Sequence, residues 1–261
     1  MDFKKAYVIA VKDLTEVFSS PSIYGPMLGV PAFFSVMLPI LTFYVAKYGA
    51  TNLASKIVTS LPATIAAVPP ASGLVFMAFF VVNVLGPIFL TMPIFTASVI
   101  AADSFAGEKE RKTSEALLAT PVKTEELLLG KIMASFIPAI ALTLAIFALY
   151  GYVTNWLAFS SFNQAILPTA TWLMMLATSP FLALAAIGVV VLVSSHVKGI
   201  KEAQQISTLL ILPILVMPFI SIIGLATLTV SFFLWVIAAL LAADVVIIYV
   251  GVKSFRKENI L

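Results

Sequence analysis

The sequence predicts an all-α integral membrane protein with six transmembrane helices, an amphipathic N-terminal helix and a short cytoplasmic helix between spans two and three. Three observations carry this. First, 61% of the 261 residues are hydrophobic and only 10% are charged, against about 45–50% apolar and about 25% charged in an ordinary soluble domain. Second, the apolar residues gather in continuous runs long enough for helices to cross a hydrocarbon core about 30 Å thick. Third, 13 of the 15 basic residues fall in every second segment between those runs, all on one side. Barrel-type alternation of apolar and polar residues is missing, and open sheets cannot span lipid, so the runs are helices. This composition excludes a disordered chain, a disulfide scaffold and an ordinary soluble enzyme. The chain has no Cys and one His, His196, which leaves no thiolate site and no His-based triad or multi-His metal site within one chain.

The first 22 residues form the first unit. Phe3, Tyr7, Val11, Leu14 and Phe18 recur at helical spacing on one face, with Lys5, Lys12 and Glu16 away from it. The segment is expected to be an interfacial helix on the inner surface of the membrane, ended by Pro21. No cleavable signal peptide is expected, because the first apolar run is too long and the segment before it is itself patterned.

Residues 23–261 form the six-span unit. The spans are expected at Tyr24–Ala46, Gly73–Ala102, Ile132–Trp156, Pro168–Ser195, Ile206–Leu228 and Val230–Val252. Gly25-x-x-x-Gly29 opens the first span, and such spacing lets helices approach closely; packing within one subunit is the expected use. Pro31, Pro39, Pro87, Pro93, Pro138, Pro180, Pro213 and Pro218 interrupt the spans and can kink them. Outside the spans, the only sizeable segment on the less basic side is Lys47–Ser72, where Pro62, Pro69 and Pro70 limit regular structure. The links at Phe159–Leu167 and Thr227–Thr229 are short and leave no room for an outer domain.

Basic residues set the orientation. Lys4, Lys5 and Lys12 precede the first span, and Lys109, Arg111, Lys112, Lys123 and Lys131 follow the second. Lys198 and Lys201 follow the fourth, and Lys253, Arg256 and Lys257 form the tail. The other side holds only Lys47 and Lys56. The positive-inside rule places the first group, and both termini, in the cytoplasm, for a multi-pass protein of the plasma (inner) membrane.

Asp244 lies within the last span, about 12 Å from its inner end by helical rise. A carboxylate at that depth is a functional-site candidate, with a structural hydrogen bond as the alternative. Asn83 and Asn155 are weaker cases of the same kind. His196, at the inner boundary of the fourth span, reads as an interfacial residue.

The segment Asp103–Lys131 holds 11 of the 27 charged residues. Gly107 permits a bend as the chain leaves the membrane. Thr113 or Ser114 can cap a short helix through Glu115, Ala116, Leu117 and Leu118, which Pro121 stops. Thr124, Glu125 and Glu126 read as a fresh N-terminus leading into the third span. Leu117 and Leu118 are then apolar residues offered at the cytoplasmic edge, where a partner can bury them.

The order of residues in this segment is specific. Asp103-x-Phe-x-Gly-Glu-Lys-Glu-Arg111, then Thr113-x-Glu-x-Leu-Leu-x-Thr-Pro-Val122, closed by Glu126-Leu-Leu-x-Gly-Lys131, resembles the signature of ABC transporter permeases of the ABC type-2 class. Lys112 stands where a Gly is usual and Ser114 where an aliphatic residue is usual. The importer-type loop fits less well: Glu115-Ala116 starts it, but Leu117 and Ala119 break it. The resemblance implies two permease subunits, as a homodimer or heterodimer, bound to two cytoplasmic ATPase subunits, and in most members an exporter. It further implies that the loop forms a coupling helix docked on the ATPase, with Glu108, Glu110, Arg111, Thr113, Glu115, Leu117, Leu118, Thr120 and Pro121 as coupling residues.

A phosphate-binding loop needs G-x-x-x-x-G-K-[ST]. The only Gly-Lys pair is Gly130-Lys131, with Glu125 in place of the first Gly and Ile132 after the Lys. The chain is therefore expected to be no enzyme and to hold no cofactor, with ATP and Mg on the partner chain. Membrane lipid is the other expected partner, and nucleic acid is not one. The alternative function is an ion-coupled secondary transporter using Asp244.

Overall fold

Among the described residues of the computed structural model, six helices are long and apolar enough to cross a membrane. The structure describes residues 3–19, 21–48, 73–111, 124–194, 197, 199–222 and 228–254, and no strand occurs among them. The chain is a multi-pass membrane protein. Helix α1 spans Phe3–Ser19 and α2, the first span, Pro21–Tyr48. The second span is compound: α3 (Gly73–Phe79), a π-helical segment (Phe80–Leu85), α4 (Gly86–Phe89) and α5 (Thr91–Glu110). The third span is α6 (Thr124–Phe162) and the fourth α7 (Ala170–Ser194). The fifth is split into α8 (Ile200–Thr208) and α9 (Ile211–Ile222), and α10 (Val230–Ser254) is the sixth.

The second span is the centre of the bundle. It packs on α6, α7 and α8; α7 packs on α10, and α6 carries both α1 and α2. An aromatic cluster joins spans two, three and four: the Phe89 and Tyr150 ring centroids lie 4.5 Å apart, and those of Phe147 and Trp172 also 4.5 Å. Spans one, five and six keep most of their side chains on the outside. With lipid as solvent, an apolar outer face is expected, and close packing takes over the role of hydrophobic burial.

Prolines account for the irregular backbone. Pro87 has no N–H to give the carbonyl of Asn83. The register widens just before it, and Gly86 N donates to Val81 O in the π pattern. Pro93 likewise has no N–H for Phe89 O, and Leu90 interrupts the helix there, its N–H donating to Pro87 O at 3.0 Å. Pro213 has none for Leu209 O, and the break at Leu209–Leu210 follows, bridged by turn bonds such as Leu212 N to Leu209 O at 3.1 Å. The fifth span is thus two helices starting at Ile200, where the sequence suggested one continuous run from Ile206. Pro138 and Pro180 lie inside unbroken helices.

Three other expectations change. The bend at Gly107 does not form: α5 continues to Glu110. Gly107 instead makes room for a neighbour, since a Cβ there would lie 3.3 Å from both Ile200 Cδ1 and Asp103 Oδ1. The helix of the third span starts at Thr124, where a fresh N-terminus was expected, but the residues before Ile132 are not loop: Leu127, Leu128 and Lys131 are buried helix residues. Finally, a Cβ on Gly25 or Gly29 would meet nothing within 4 Å. No helix of this subunit among the described residues uses that close-approach surface.

Candidate functional site

The polar residues of this apolar chain converge at one end of the bundle. Helix α1 is the first component. Its buried face is Ala6, Ala10, Asp13 and Val17, a stripe of mostly small side chains at 4, 3, 4 spacing. The Phe3, Tyr7, Val11 and Phe18 face points away from the protein, with Phe3 71% exposed. The small stripe lets α1 ride directly on the first turns of α6. At the crossing stands Gly130, where a Cβ would lie 2.7 Å from Ala6 O and 2.9 Å from Ile9 Cβ. Real Cβ atoms do not come that close to backbone, so this packing requires glycine.

The next residue, Lys131, is 1% exposed. Its ammonium lies 2.8 Å from Glu108 Oε1 and 3.9 Å from Asp13 Oδ2. It donates to the backbone carbonyl of Ser104 and sits 5.3 Å from the centre of the Phe105 ring. Ser104 Oγ donates to Asp13 Oδ2 at 2.5 Å. A buried cation is tolerated only when paired and hydrogen-bonded, and here α1, α5 and α6 each supply part of the cage.

A second clamp lies closer to solvent. Arg111 Nη1 donates to Glu16 Oε1 at 2.5 Å and Nη2 to Asp103 Oδ1 at 2.6 Å. One planar guanidinium thus bridges α1 and α5, a two-pronged geometry lysine cannot reproduce. Lys12 adds contacts to Asp13 at 3.5 Å and Glu108 at 4.0 Å. Glu110 faces another helix. Its Oε2 accepts from Ile200 N at 2.9 Å, so it caps the N-terminus of α8, where an acidic group is favoured. Gly199 clears the way, since a Cβ there would stand 2.7 Å from Glu110 Oε2.

Of the coupling residues expected from the sequence, Glu108 and Arg111 therefore point into the subunit toward α1 and α6, and Glu110 toward α8. Thr113, Glu115, Leu117, Leu118, Thr120 and Pro121 lie outside the described residues, as does His196. Asp13, Glu16, Ser104 and Lys131 belong to the junction without having been singled out as site residues. The second stripe on α1, Ala6-Ala10-Asp13-Val17, was the available signal: it follows helical spacing as regularly as the aromatic stripe does.

Asp244 is apart from this junction. It is buried on α10, and neither carboxylate oxygen has a hydrogen-bond partner among the described residues. Asn83 is half-buried in the π-helical segment, its Nδ2 donating to Phe79 O at 3.3 Å. Asn155 holds the link between spans three and four. Its Nδ2 donates to Leu167 O at 2.6 Å, and its Oδ1 accepts from Ile166 N and Leu167 N, both at 2.9 Å. No group of three or more His, Cys, Asp or Glu that could hold a metal ion occurs among the described residues.

Residues 8–234 match the family described as ABC-2 family transporter protein. The chain belongs to the ABC-2 transporter family. It is also 31% identical over 143 residues to the ABC transporter permease protein NatB of Bacillus subtilis (strain 168), a match covering 52% of this chain and 36% of NatB. The chain thus matches about a third of that relative's length. The match to the ABC-2 family takes in most of α1, all of the junction except Ala6, and the first five spans.

Proposed function

We propose that this chain is the membrane subunit of an ATP-driven ABC exporter, working with a second permease subunit and with separate cytoplasmic ATPase subunits that hold the ATP and Mg. Residues 1–22 serve as the interfacial helix, residues 23–261 as the translocating unit, and the segment 103–131 as the coupling element. The junction end is cytoplasmic, by the basic-residue asymmetry, and the membrane is the plasma membrane.

The observation that carries the reading is the junction itself. The loop with the family signature joins α5 to α6, the two helices that share the Lys131 cage with Asp13 of α1. Its leading edge also holds α8 through Glu110. Force applied to that loop would therefore be delivered to spans two, three and five and to α1 together, through ion pairs and close backbone contact. Packed elements with such connections move as units. The outward apolar face of α1 suits the inner lipid surface.

The test is co-purification and stimulation. The full chain is extracted gently from its native membrane with any nucleotide-binding subunit that accompanies it, the mass of the complex is measured, and ATP hydrolysis by that subunit is compared with and without the permease. The expected result is a complex of two permeases and two ATPases with stimulated hydrolysis. A transport-active monomer without a nucleotide-binding partner sinks the proposal.

A further inference from the structure

At the end of the second span opposite the junction, the structure holds a cavity of about 520 Å³. Leu74, Ala78, Val82 and Leu228 give it an apolar wall, and Asn83, Thr169 and Thr171 are its polar lining residues. No ionisable side chain lines it among the described residues. Volume and lining fall within the usual range of small-molecule sites, which are mostly apolar with a few placed polar groups.

Two features make this a built site. On one side, the wall is the π-helical segment forced by Pro87, a local departure of the kind that recurs at functional sites. It brings Asn83 to the cavity with its Nδ2 satisfied by Phe79 O, and its Oδ1 takes no donor among the described residues. On the other side, the wall is the link between spans three and four, and this link is not left to itself. The three hydrogen bonds of Asn155 to Ile166 and Leu167 fix it beside the cavity. The site is thus pre-formed from both directions, which lowers the ordering cost of binding.

We infer that this cavity binds an uncharged, largely apolar molecule that donates a hydrogen bond to Asn83 Oδ1. The described lining favours an uncharged ligand over an ion, since a charge would meet no opposite charge among those residues. Asn83 lies nine residues inward from Leu74, about 13 Å along the helix, so the ligand would sit at outer-leaflet depth with its polar group innermost. Asn155 acts as a positioning residue. As a substrate site the assignment rests on the exporter reading; as a binding site it does not. The ligand can come from the bilayer as a lipid or from solution as a free apolar compound.

The test uses the full chain in phosphatidylcholine nanodiscs doped with diacylglycerol, an uncharged lipid with a free hydroxyl, with the uncharged dye N-phenyl-1-naphthylamine, which carries one N–H donor, as probe and empty nanodiscs of the same lipids as the baseline. Saturable binding above that baseline is expected. Ala78→Trp fills the cavity and should remove it. Asn83→Leu keeps the shape, loses the acceptor and should weaken binding about two- to tenfold. Val245→Trp, at an exposed position of α10, should leave it unchanged. Native mass spectrometry separates the sources: a lipid carried by the wild type and missing from Ala78→Trp identifies a lipid, and dye binding without such a lipid identifies a free compound. Binding no greater than in empty nanodiscs, with no retained lipid, overturns the inference, as does Ala78→Trp binding like wild type. If Ala78→Trp does not insert, Asn83→Leu decides, and unchanged dye and lipid binding in that variant overturns the inference. Dye binding by a chain that stimulates no ATPase would leave this site standing and sink the exporter reading; the converse result would do the reverse.

Discussion

Lys131 is buried at the foot of the third span with its ammonium 2.8 Å from Oε1 of Glu108, at the end of the second. The pair joins the two helices flanking the loop with the family signature, and Asp13 of α1 lies 3.9 Å from the same ammonium. Three elements distant in sequence therefore share one charge.

The first prediction follows from that charge. Lys131→Met leaves Glu108 and Asp13 without their buried cation. Removing one partner of a buried pair typically costs about 3–5 kcal/mol. The variant should unfold at lower temperature in detergent, and α1 should become sensitive to protease. Wild-type melting and protease resistance would show that the cage contributes nothing net.

Gly130 should be as intolerant, for a different reason. Gly130→Ala places a Cβ 2.7 Å from Ala6 O, and neither backbone can yield without separating α1 from α6. A cross-link between Cys residues introduced at Ile9 and Leu127 should form more slowly in this variant than beside native Gly130. Equal rates would mean that the two helices are not held at this distance in the membrane.

Coupling is tested in the loop. Glu115→Ala with Leu118→Ala should leave all six spans inserted and lower ATPase stimulation several-fold, since docked anchors of this sort can each contribute more than about 1–2 kcal/mol. Lys198→Ala with Lys201→Ala should do less. Normal ATPase binding and stimulation in the first variant removes the coupling role from this loop, even though the family stands.

Asp244 separates the two transport mechanisms. Its carboxylate has no hydrogen-bond partner among the described residues, and α7, the helix packed against α10, carries no charged residue. Asp244→Asn keeps the shape and removes the ionisable group. An ATP-driven exporter should retain stimulated hydrolysis and transport. Loss of ion-dependent transport in this variant, in a chain whose wild type binds and stimulates no ATPase, favours the ion-coupled alternative.

Orientation can be read directly, because the native chain has no Cys. A single Cys at Lys56 should react with an impermeant reagent in intact cells. Cys at Lys112 or Lys257 should react only after the membrane is opened; labelling at Lys112 in intact cells reverses the topology.

Span number and composition were legible in the sequence because they depend on local quantities. A helix in lipid satisfies its own backbone, so an apolar run long enough to cross is a span wherever it occurs. The stop before Pro21 follows from a missing N–H, and the start at Thr124 was visible as a fresh N-terminus, whereas Pro213 was read only as a possible kink in one continuous span. The loop from Asp103 to Lys131 was legible as residue order, which led to the family.

What the sequence by itself determined, then, was the number of helices, their approximate limits, the side on which basic charge accumulates, and the family. Only the tertiary structure decided which helix meets which, and so what each polar residue does. Lys131 reads as one more basic loop residue until α1 lies across it. Gly107 reads as a bend and Gly130 as one residue of a signature until Ile200 and the Ala6 backbone fill the space beside them. Asn155 reads as a stray intramembrane amide until the link at Ile166–Leu167 comes round to meet it. The reason is physical: a helix forms from contacts three or four residues apart, whereas a buried charge or a missing Cβ has meaning only against a neighbour that may be 118 positions away, as Asp13 is from Lys131.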